Sequence, residues 1–223
     1  MVGGGLATLV LVGAGAFLLT RSADGFLPFT DHDKPPTLSF DAAKVGVETT
    51  TPTKAKDVRD VAQAAADQVK GQLETLYYNA FVDPDTWGDP GELDKLFTED
   101  ALAKVGDQTD TVTIGKDASD VYDYTYPDKG KVRIKILTDA QDEPAQAVAT
   151  VLFVATTEHD DGSYSRITSE GSYFLKRLDG EWRIYAFDIT KKEKKTDAPV
   201  PTPSASEKPS GATKATASGE ASP

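Results

Sequence analysis

The spacing of apolar residues in the first half of the chain is helical. Between Val58 and Ala80, apolar positions recur at intervals of three and four, and charged side chains occupy the opposite face. This period predicts one long amphipathic helix, and Pro84 marks its end because proline cannot continue a helix. The apolar set comprises Val58, Val61, Ala62, Ala65, Val69, Leu73, Leu76, Tyr77 and Ala80.

Two short helices are predicted after the long one. The sequence Asp-Pro-Gly-Glu at 89–92 resembles a capping box with proline at the first helical position, which predicts a helix through Phe97. Thr98 is a suitable N-cap for a further helix that extends through Val105. The helical half of the domain therefore consists of one long and two short helices.

Further along, the hydrophobic period shortens to two, which predicts strands. Val132, Ile134 and Ile136 alternate with lysine and arginine, as expected for a strand with one face in water. A longer apolar, β-branched run downstream predicts a central strand. The predicted strands cover 111–114, 131–136, 145–157, 165–178 and 181–189.

Turn residues separate the predicted strands. Asp160-Asp161-Gly162-Ser163 marks one hairpin, and Asp179-Gly180 marks the next because glycine accepts the positive φ of a two-residue turn. Gly171, inside a strand pattern, indicates a bulge or a bend. Helices followed by an antiparallel meander predict an α+β domain over residues 55–192, with a curved antiparallel sheet packed on the helices.

An uncharged apolar run covers the first twenty residues. A helix of that length spans about 30 Å, the thickness of a bilayer core, so residues 1–21 are predicted to be a transmembrane helix. A signal peptide is the alternative, because Ala14-Gly15-Ala16 resembles a cleavage site. Taken alone, Arg21 would place the residues after the apolar run in the cytoplasm. We give more weight to the polar composition of the segments that follow, which favours the outside. We expect a single-pass membrane protein with an extracytoplasmic domain.

Low-complexity segments flank the domain. Residues 22–54 are rich in proline and threonine and lack a regular period, which predicts a spacer; Leu38 to Phe40 is its candidate for packing on the domain. From Thr196 to Pro223, 22 of 28 residues are Pro, Ser, Thr, Ala or Gly, so the tail at 193–223 is predicted to be disordered. The lysine-rich run at 191–195 is expected to cap the domain edge.

The composition excludes several partners and chemistries. A net charge of −12 repels nucleic acid, and the chain as a whole gains nothing from an anionic lipid surface. The absence of cysteine removes disulfides, thiolate catalysis and iron–sulfur ligation. P-loop, Rossmann, serine-hydrolase and zinc-protease motifs are also missing, so no cofactor and no metal is expected. The acid-rich segment 83–128 is expected to be a solvated face.

Three segments resemble a known superfamily. They are "LETLYYNAF", "ELDKLFTEDAL" and "GSYFLKRLDGEWRIYAFDI", within a span of about 55–192. The pattern resembles the NTF2-like (SnoaL-like, cystatin-like) superfamily, and within it the actinobacterial membrane-anchored proteins of the Mce-associated type. The resemblance implies a cone-shaped α+β fold whose long helix packs in a curved sheet. It implies no single activity, because the superfamily includes isomerases, dehydratases, cyclases, cargo binders and spacer domains.

The resemblance also implies a conical pocket between helix and sheet. Aromatic residues are the candidates for its lining, with an apolar ligand as its occupant. The alternative is that the same rings fill the cone as core, which is the commoner role of aromatic residues at helix and strand spacing. The six candidates are Tyr77, Phe81, Trp87, Phe97, Tyr173 and Trp182.

Few side chains are candidates for a catalytic base. The segment 117–126 brings aspartate and tyrosine close in sequence, and Asp188 shares the parity of the apolar positions in the last strand. His159 lies at a hairpin turn, where a solvated position is expected. An isomerase-type site would require Asp120, Asp123 or Asp188 to be buried in the cone beside a tyrosine hydroxyl.

These patterns lead to three functional hypotheses. The first is a non-catalytic, membrane-tethered, extracytoplasmic module that binds a protein partner or an apolar ligand at the cell envelope. The second is a small-molecule isomerase, dehydratase or cyclase of the NTF2-like type. The third is a purely structural spacer domain, which a completely filled cone would favour.

Overall fold

A computed structural model describes residues 36–54, 56–87 and 93–197. The predicted membrane or signal segment at 1–21, the first part of the predicted spacer, the capping box at 89–92 and the predicted tail beyond Asp197 lie outside these residues. Among the described residues, no helix is long and apolar enough to cross a bilayer.

Helices form the first half of the domain. The long helix, α1 (Arg59–Tyr77), has its buried residues on the predicted stripe, although Val61 is 50% exposed. It continues into a π-helical turn, Tyr78–Val82, and a 3₁₀ turn, Pro84–Thr86, so regular α-helix ends before the predicted proline. The short helices that follow are α2 (Leu93–Leu96), α3 (Glu99–Asp107) and α4 (Thr109–Val112).

Six strands form one open, curved, mainly antiparallel sheet, and the fold is α+β as predicted. Two short strands, β1 (Asp41–Ala42) and β2 (Gly46–Glu48), pair in parallel with the first long strand. The long strands form an antiparallel meander: β3 (Tyr122–Thr138), β4 (Pro144–His159), β5 (Tyr164–Leu178) and β6 (Glu181–Thr196). α1 packs against the inner face of this sheet; the opposite face is called the outer face below.

The predicted alternation in β3 is confirmed. Val132, Ile134 and Ile136 are buried on the inner face, whereas the basic residues between them are exposed on the outer face. The predicted turn at Asp179-Gly180 is also confirmed, since both residues have positive φ (52° and 86°) and Leu178 pairs with Glu181. The hairpin at 160–163 joins β4 to β5 as predicted.

The strand predicted at 111–114 is wrong, because the segment forms α4 and a short extension. The Thr109 hydroxyl donates to the Val105 carbonyl oxygen at 3.0 Å, and the Ile114 N–H donates to the Ala80 carbonyl oxygen at 2.8 Å. Val112 and Ile114 are both buried. Local preference for a strand in β-branched residues is weak, and here the packing against the helical layer overrides it.

The sheet extends into the predicted spacer and the predicted tail. β1 and β2 lie within 22–54, and β6 continues to Thr196. The lysine-rich run at 191–195 therefore belongs to the last strand instead of following it, and it lies at an edge of the sheet as expected. Phe40 packs on the domain as expected: its ring meets Tyr77 edge-on at 5.3 Å. It lies over Gly130, where the β-carbon of any other residue would be only 2.9 Å from the ring.

A bulge in β6 reverses the predicted parity at its centre. Phe174 pairs with Ala186 but Leu175 pairs with Ile184, so Tyr185 is an extra residue. Beyond it, Phe187 packs against the core, whereas Asp188 is exposed. Gly171, predicted to be a bulge or a bend, is not a bulge, because the pairing on both sides continues there without a shift; the bulge at Tyr185 was not predicted.

Candidate functional site

The space between α1 and the inner face is occupied by packed aromatic rings. Tyr77 stacks on Phe81 at 5.2 Å between ring centroids, and lies 5.1 Å from Phe153 and 6.2 Å from Tyr173. All four side chains are at most 1% exposed. These contacts are those of a hydrophobic core, in which rings meet at 4.5–7 Å in tilted or edge-on pairs.

The structure groups only part of the six predicted lining residues. Tyr77, Phe81 and Tyr173 share the cluster just described, and Phe97 contacts its edge through Phe187 at 6.0 Å. The two tryptophans belong to the same hydrophobic core but have other partners: Trp87 packs against Tyr122, and the Trp182 indole N–H donates to Gln68 on α1. All six are buried, and their role as a ligand-binding set stays a prediction.

Three buried hydroxyls lie within the aromatic cluster. The Tyr77 and Ser169 hydroxyls are hydrogen-bonded at 3.0 Å, whereas the Tyr173 hydroxyl interacts electrostatically with that of Tyr77 but has no partner at hydrogen-bond distance among the described residues. Burial raises the pKa of Tyr77 to about 12, partly offset by the Ser169 hydrogen bond. Burial also raises the pKa of Tyr173 well above its usual value, so both phenols stay protonated at neutral pH.

The two tyrosines should respond differently to loss of the hydroxyl. Tyr77→Phe is expected to lower the free energy of unfolding by about 1–2 kcal/mol, because Ser169 is left buried and unpaired. Tyr173→Phe removes an unpaired buried hydroxyl and is expected to be neutral or stabilising. Urea unfolding of the two variants measures the difference. A loss above about 1 kcal/mol for Tyr173→Phe would show that its hydroxyl has a partner in solution.

The acidic residues considered for catalysis lie on the surface. Asp120 and Asp123 are exposed beside the start of β3, and Asp188 is exposed on the outer face because of the bulge. None of the three is therefore buried beside the tyrosine hydroxyls of the inner face. The geometry that an isomerase-type site requires is not formed by these residues.

A cluster of polar side chains lies at the end of the sheet where β4 and β6 finish and β5 begins. The Ser165 hydroxyl, 1% exposed, shares hydrogen bonds with the Thr157 hydroxyl at 2.7 Å and with the His159 ring at 3.0 Å, and it donates a short hydrogen bond to Glu193. Tyr122 also donates to Glu193, at 2.9 Å. Burial is the main cause that raises the pKa of Tyr122, and the hydrogen bond to the Glu193 carboxylate raises it further.

This polar cluster does not have the arrangement of an activated nucleophile. Such a serine is exposed to substrate and gives its proton to a histidine that a third group orients. Here Ser165 is buried and its proton is directed at Glu193, so the His159 ring donates to the serine oxygen. The cluster therefore ties together the ends of three strands. Among the described residues, no group of three or more histidine or acidic side chains is placed to hold a metal ion.

Sequence analysis missed this cluster because its members are far apart in the chain. The hairpin position predicts a solvated His159, but its side chain is only 21% exposed and its ring packs on Tyr122 at 4.8 Å. One signal was available in the sequence. Thr157 and His159 are two residues apart in a predicted strand, so both side chains lie on the same face as the buried residues before them, the inner face.

The outer face is the largest feature that no described helix covers. Its centre, along β4 and β5, carries half-buried apolar residues among polar ones such as Thr150, Glu170 and Ser172; the apolar residues are Val148, Leu152, Val154 and Phe174. Along β3, its border is a row of exposed cations: Lys129, Lys131, Arg133 and Lys135. An exposed sheet face is normally polar, so four half-buried apolar side chains beside a charged border are a feature of contact surfaces.

A basic groove lies at the end of the outer face, across β5 and β6. Its volume is about 350 Å³, and it is lined by Arg166, Thr168, Lys192, Lys194, Lys195 and Thr196. Arg166 lies directly opposite Lys194 in the strand register, an arrangement of like charges that disfavours folding. Oxyanions are the ligands that suit such a groove.

Comparison of the chain with protein-family models, with curated proteins and with solved structures found no match. The site is therefore interpreted from its own geometry.

Proposed function

We propose that the chain is a membrane-tethered, extracytoplasmic, non-catalytic module that binds a component of the cell envelope through its outer face. The observation that carries the proposal is the contrast between the two sides of the sheet. On the inner side, stacked aromatic rings fill the space beside α1. On the outer side, half-buried apolar residues at the centre of the sheet, interspersed with polar ones and bordered by the cations of β3, are left uncovered by the described helices.

The NTF2-like cone is part of the same proposal. A long helix against a curved antiparallel meander agrees with that architecture, and α1 contacts β3 and β4 on the inner face. In this cone Tyr77, Phe81 and Tyr173 serve as core, which leaves the outer face as the contact surface. An apolar ligand inside the cone would have to displace rings that are at most 1% exposed.

A non-catalytic role agrees with the positions of the acidic and nucleophilic side chains. Asp120, Asp123 and Asp188 are exposed and lie away from the buried phenols. Ser165 is buried and donates to a carboxylate. The isomerase, dehydratase and cyclase alternatives therefore have no base placed beside a buried hydroxyl among these residues.

Membrane tethering is proposed from the sequence of residues 1–21, and the sidedness from the polar segments on either side of the domain. The chain has no cysteine, so single cysteines can report on each face. Thr150 is exposed at the centre of the outer face, and Ala64 is exposed on the solvent side of α1.

We expect a membrane-impermeant maleimide to label Ala64→Cys on intact cells that express the full chain. Thr150→Cys should be labelled at least about fivefold more slowly on cells than in the purified protein, because an envelope component covers the outer face. Labelling of Ala64→Cys only after lysis would reverse the proposed sidedness. Equal protection of both positions, or of neither, would contradict binding through the outer face.

A further inference from the structure

Charge is segregated between the two sides of the domain. The exposed side of α1 carries Asp60 and Asp67, and α3 begins with Glu99 and Asp100. The outer face carries the basic row of β3 together with Arg166, Lys192 and Lys194, and it also carries the acids Asp41, Asp128, Glu170 and Asp188. A net charge of −12 for the chain therefore conceals a local row of cations along β3.

Several cations of the outer face are unpaired. Lys135 pairs with Glu48 at 3.0 Å and Lys192 with Glu170 at 2.8 Å. In contrast, Lys129, Lys131 and Arg133 form no ion pair within the part of the chain that the structure describes. These three are successive outward residues of one strand, so their positions are about 7 Å apart. Such a row suits several anionic groups presented at regular intervals on a surface.

The N-terminal segment joins the domain beside this row. β1 pairs with β3 at Asp41 and Lys131, so the chain enters the sheet next to the unpaired cations. Residues 21–40 separate that point from the apolar run that is proposed as the anchor. These twenty residues can span at most roughly 70 Å even when fully extended. The tether would thus hold the basic row near the bilayer at high effective concentration.

We propose that the outer face docks on the anionic phospholipid headgroups of the membrane to which the chain is tethered. The proposal rests on the proposed function and names the envelope component. Lys129, Lys131 and Arg133 contact headgroup phosphates along β3, and Lys194 contacts them at the basic groove, where Arg166 already pairs with Asp128 at 3.7 Å. The acidic helices face away from the bilayer. An acidic protein partner is the competing occupant, but the attachment of the tether at β3 favours the membrane.

The test uses the full chain in lipid nanodiscs of phosphatidylcholine, with or without about 30% phosphatidylglycerol to supply anionic headgroups. A donor dye on Thr150→Cys or on Ala64→Cys reports energy transfer to an acceptor-labelled headgroup. We expect phosphatidylglycerol to increase transfer from Thr150→Cys and to leave transfer from Ala64→Cys unchanged or lower. The increase should disappear in about 0.5 M salt, where the Debye length is roughly 4 Å, because screening weakens exposed charge contacts.

Charge reversal supplies the matched control. We expect the double variant Lys131→Glu with Arg133→Glu to lower the phosphatidylglycerol-dependent increase in energy transfer at least about tenfold. The double variant Lys104→Glu with Lys116→Glu changes the net charge by the same amount on the helical side and should leave that increase unchanged. If the first pair lowers the melting temperature, Lys131→Gln with Arg133→Gln replaces it. An equal effect of both pairs, or transfer that is independent of lipid charge, overturns the proposal.

Failure of the tether is distinguishable from failure of docking. If the full chain does not enter neutral nanodiscs, the proposed anchor is contradicted. Docking is then tested by co-sedimentation of the same chain with phosphatidylglycerol vesicles. Absence of co-sedimentation overturns docking. Binding of poly-L-glutamate through Lys131 and Arg133, without any dependence on phosphatidylglycerol, would replace the lipid by an acidic protein and overturn the proposal.

Discussion

Replacing Gly171 with alanine is expected to lower the free energy of unfolding by about 3–5 kcal/mol. The residue has a φ of 148°, which side chains rarely adopt, and it is paired on both sides in the middle of β5. A β-carbon at this position would overlap the Asp188 carbonyl oxygen and lie 2.8 Å from the Ile189 α-carbon. Because both atoms belong to the backbone of β6, relief requires movement of a strand. Urea unfolding of the purified chain measures the loss.

Gly162→Ala is the matched control for this prediction. Gly162 also has positive φ, at 76°, but it lies in a hairpin where a β-carbon meets nothing within 4 Å. Its substitution should therefore cost only about 1–2 kcal/mol, the cost of the backbone conformation alone. Equal effects of the two substitutions would show that the close approach of β6 at Gly171 does not exist in solution.

Phe81→Ala is expected to destabilise the domain by about 3–5 kcal/mol and to open an apolar cavity. Phe81 is 1% exposed and lies against Tyr77 and Phe153 at 5.2 and 5.3 Å between ring centroids. If these rings are core, the wild-type chain does not bind a small apolar probe such as benzene, and Phe81→Ala gains that binding. Thermal unfolding with and without benzene measures both effects.

Phe174→Ala provides the comparison on the other side of the sheet. Phe174 is half-buried on the outer face, so its truncation should cost less than that of Phe81 and create no enclosed cavity. If benzene raised the melting temperature of the wild-type chain more than that of Phe81→Ala, the assignment of these rings to the core would be contradicted. Such a result would show an open cone lined by the predicted aromatic residues.

Periodic segments and tight turns were predictable because local chemistry determines them. The apolar stripe of α1 and the alternation in β3 both follow from which positions are apolar. The turn at Asp179-Gly180 follows from the positive φ that glycine accepts. In each case the residues that carry the signal are close in sequence, so no knowledge of the rest of the fold is needed.

Features that depend on distant partners were not predictable. α4 forms where β-branched residues favour a strand, because its backbone and apolar side chains pack on the helical layer. β1 and β2 are too short for a period, and only their pairing with β3 defines them. The extra residue Tyr185 has no signal in sequence, yet it decides that Asp188 faces water.

The candidate site also combines features that were predictable from the sequence with features that were not. Sequence identified six aromatic residues that are all buried, but not which of their rings contact one another. The Ser165 cluster required the register of three strands. The row of cations on β3 was hidden in an acidic composition, because net charge says nothing about which residues the strand register places together.

Photo-crosslinking in intact cells tests most directly whether the outer face is the contact surface. A photoreactive residue at Leu152, half-buried at the centre of the outer face, is compared with one at Ala64, exposed on α1. We predict that Leu152 yields crosslinks to an envelope component in the full chain and that Ala64 yields none above background. Crosslinks from Ala64 with none from Leu152 would contradict the account and place the contact on the helical side.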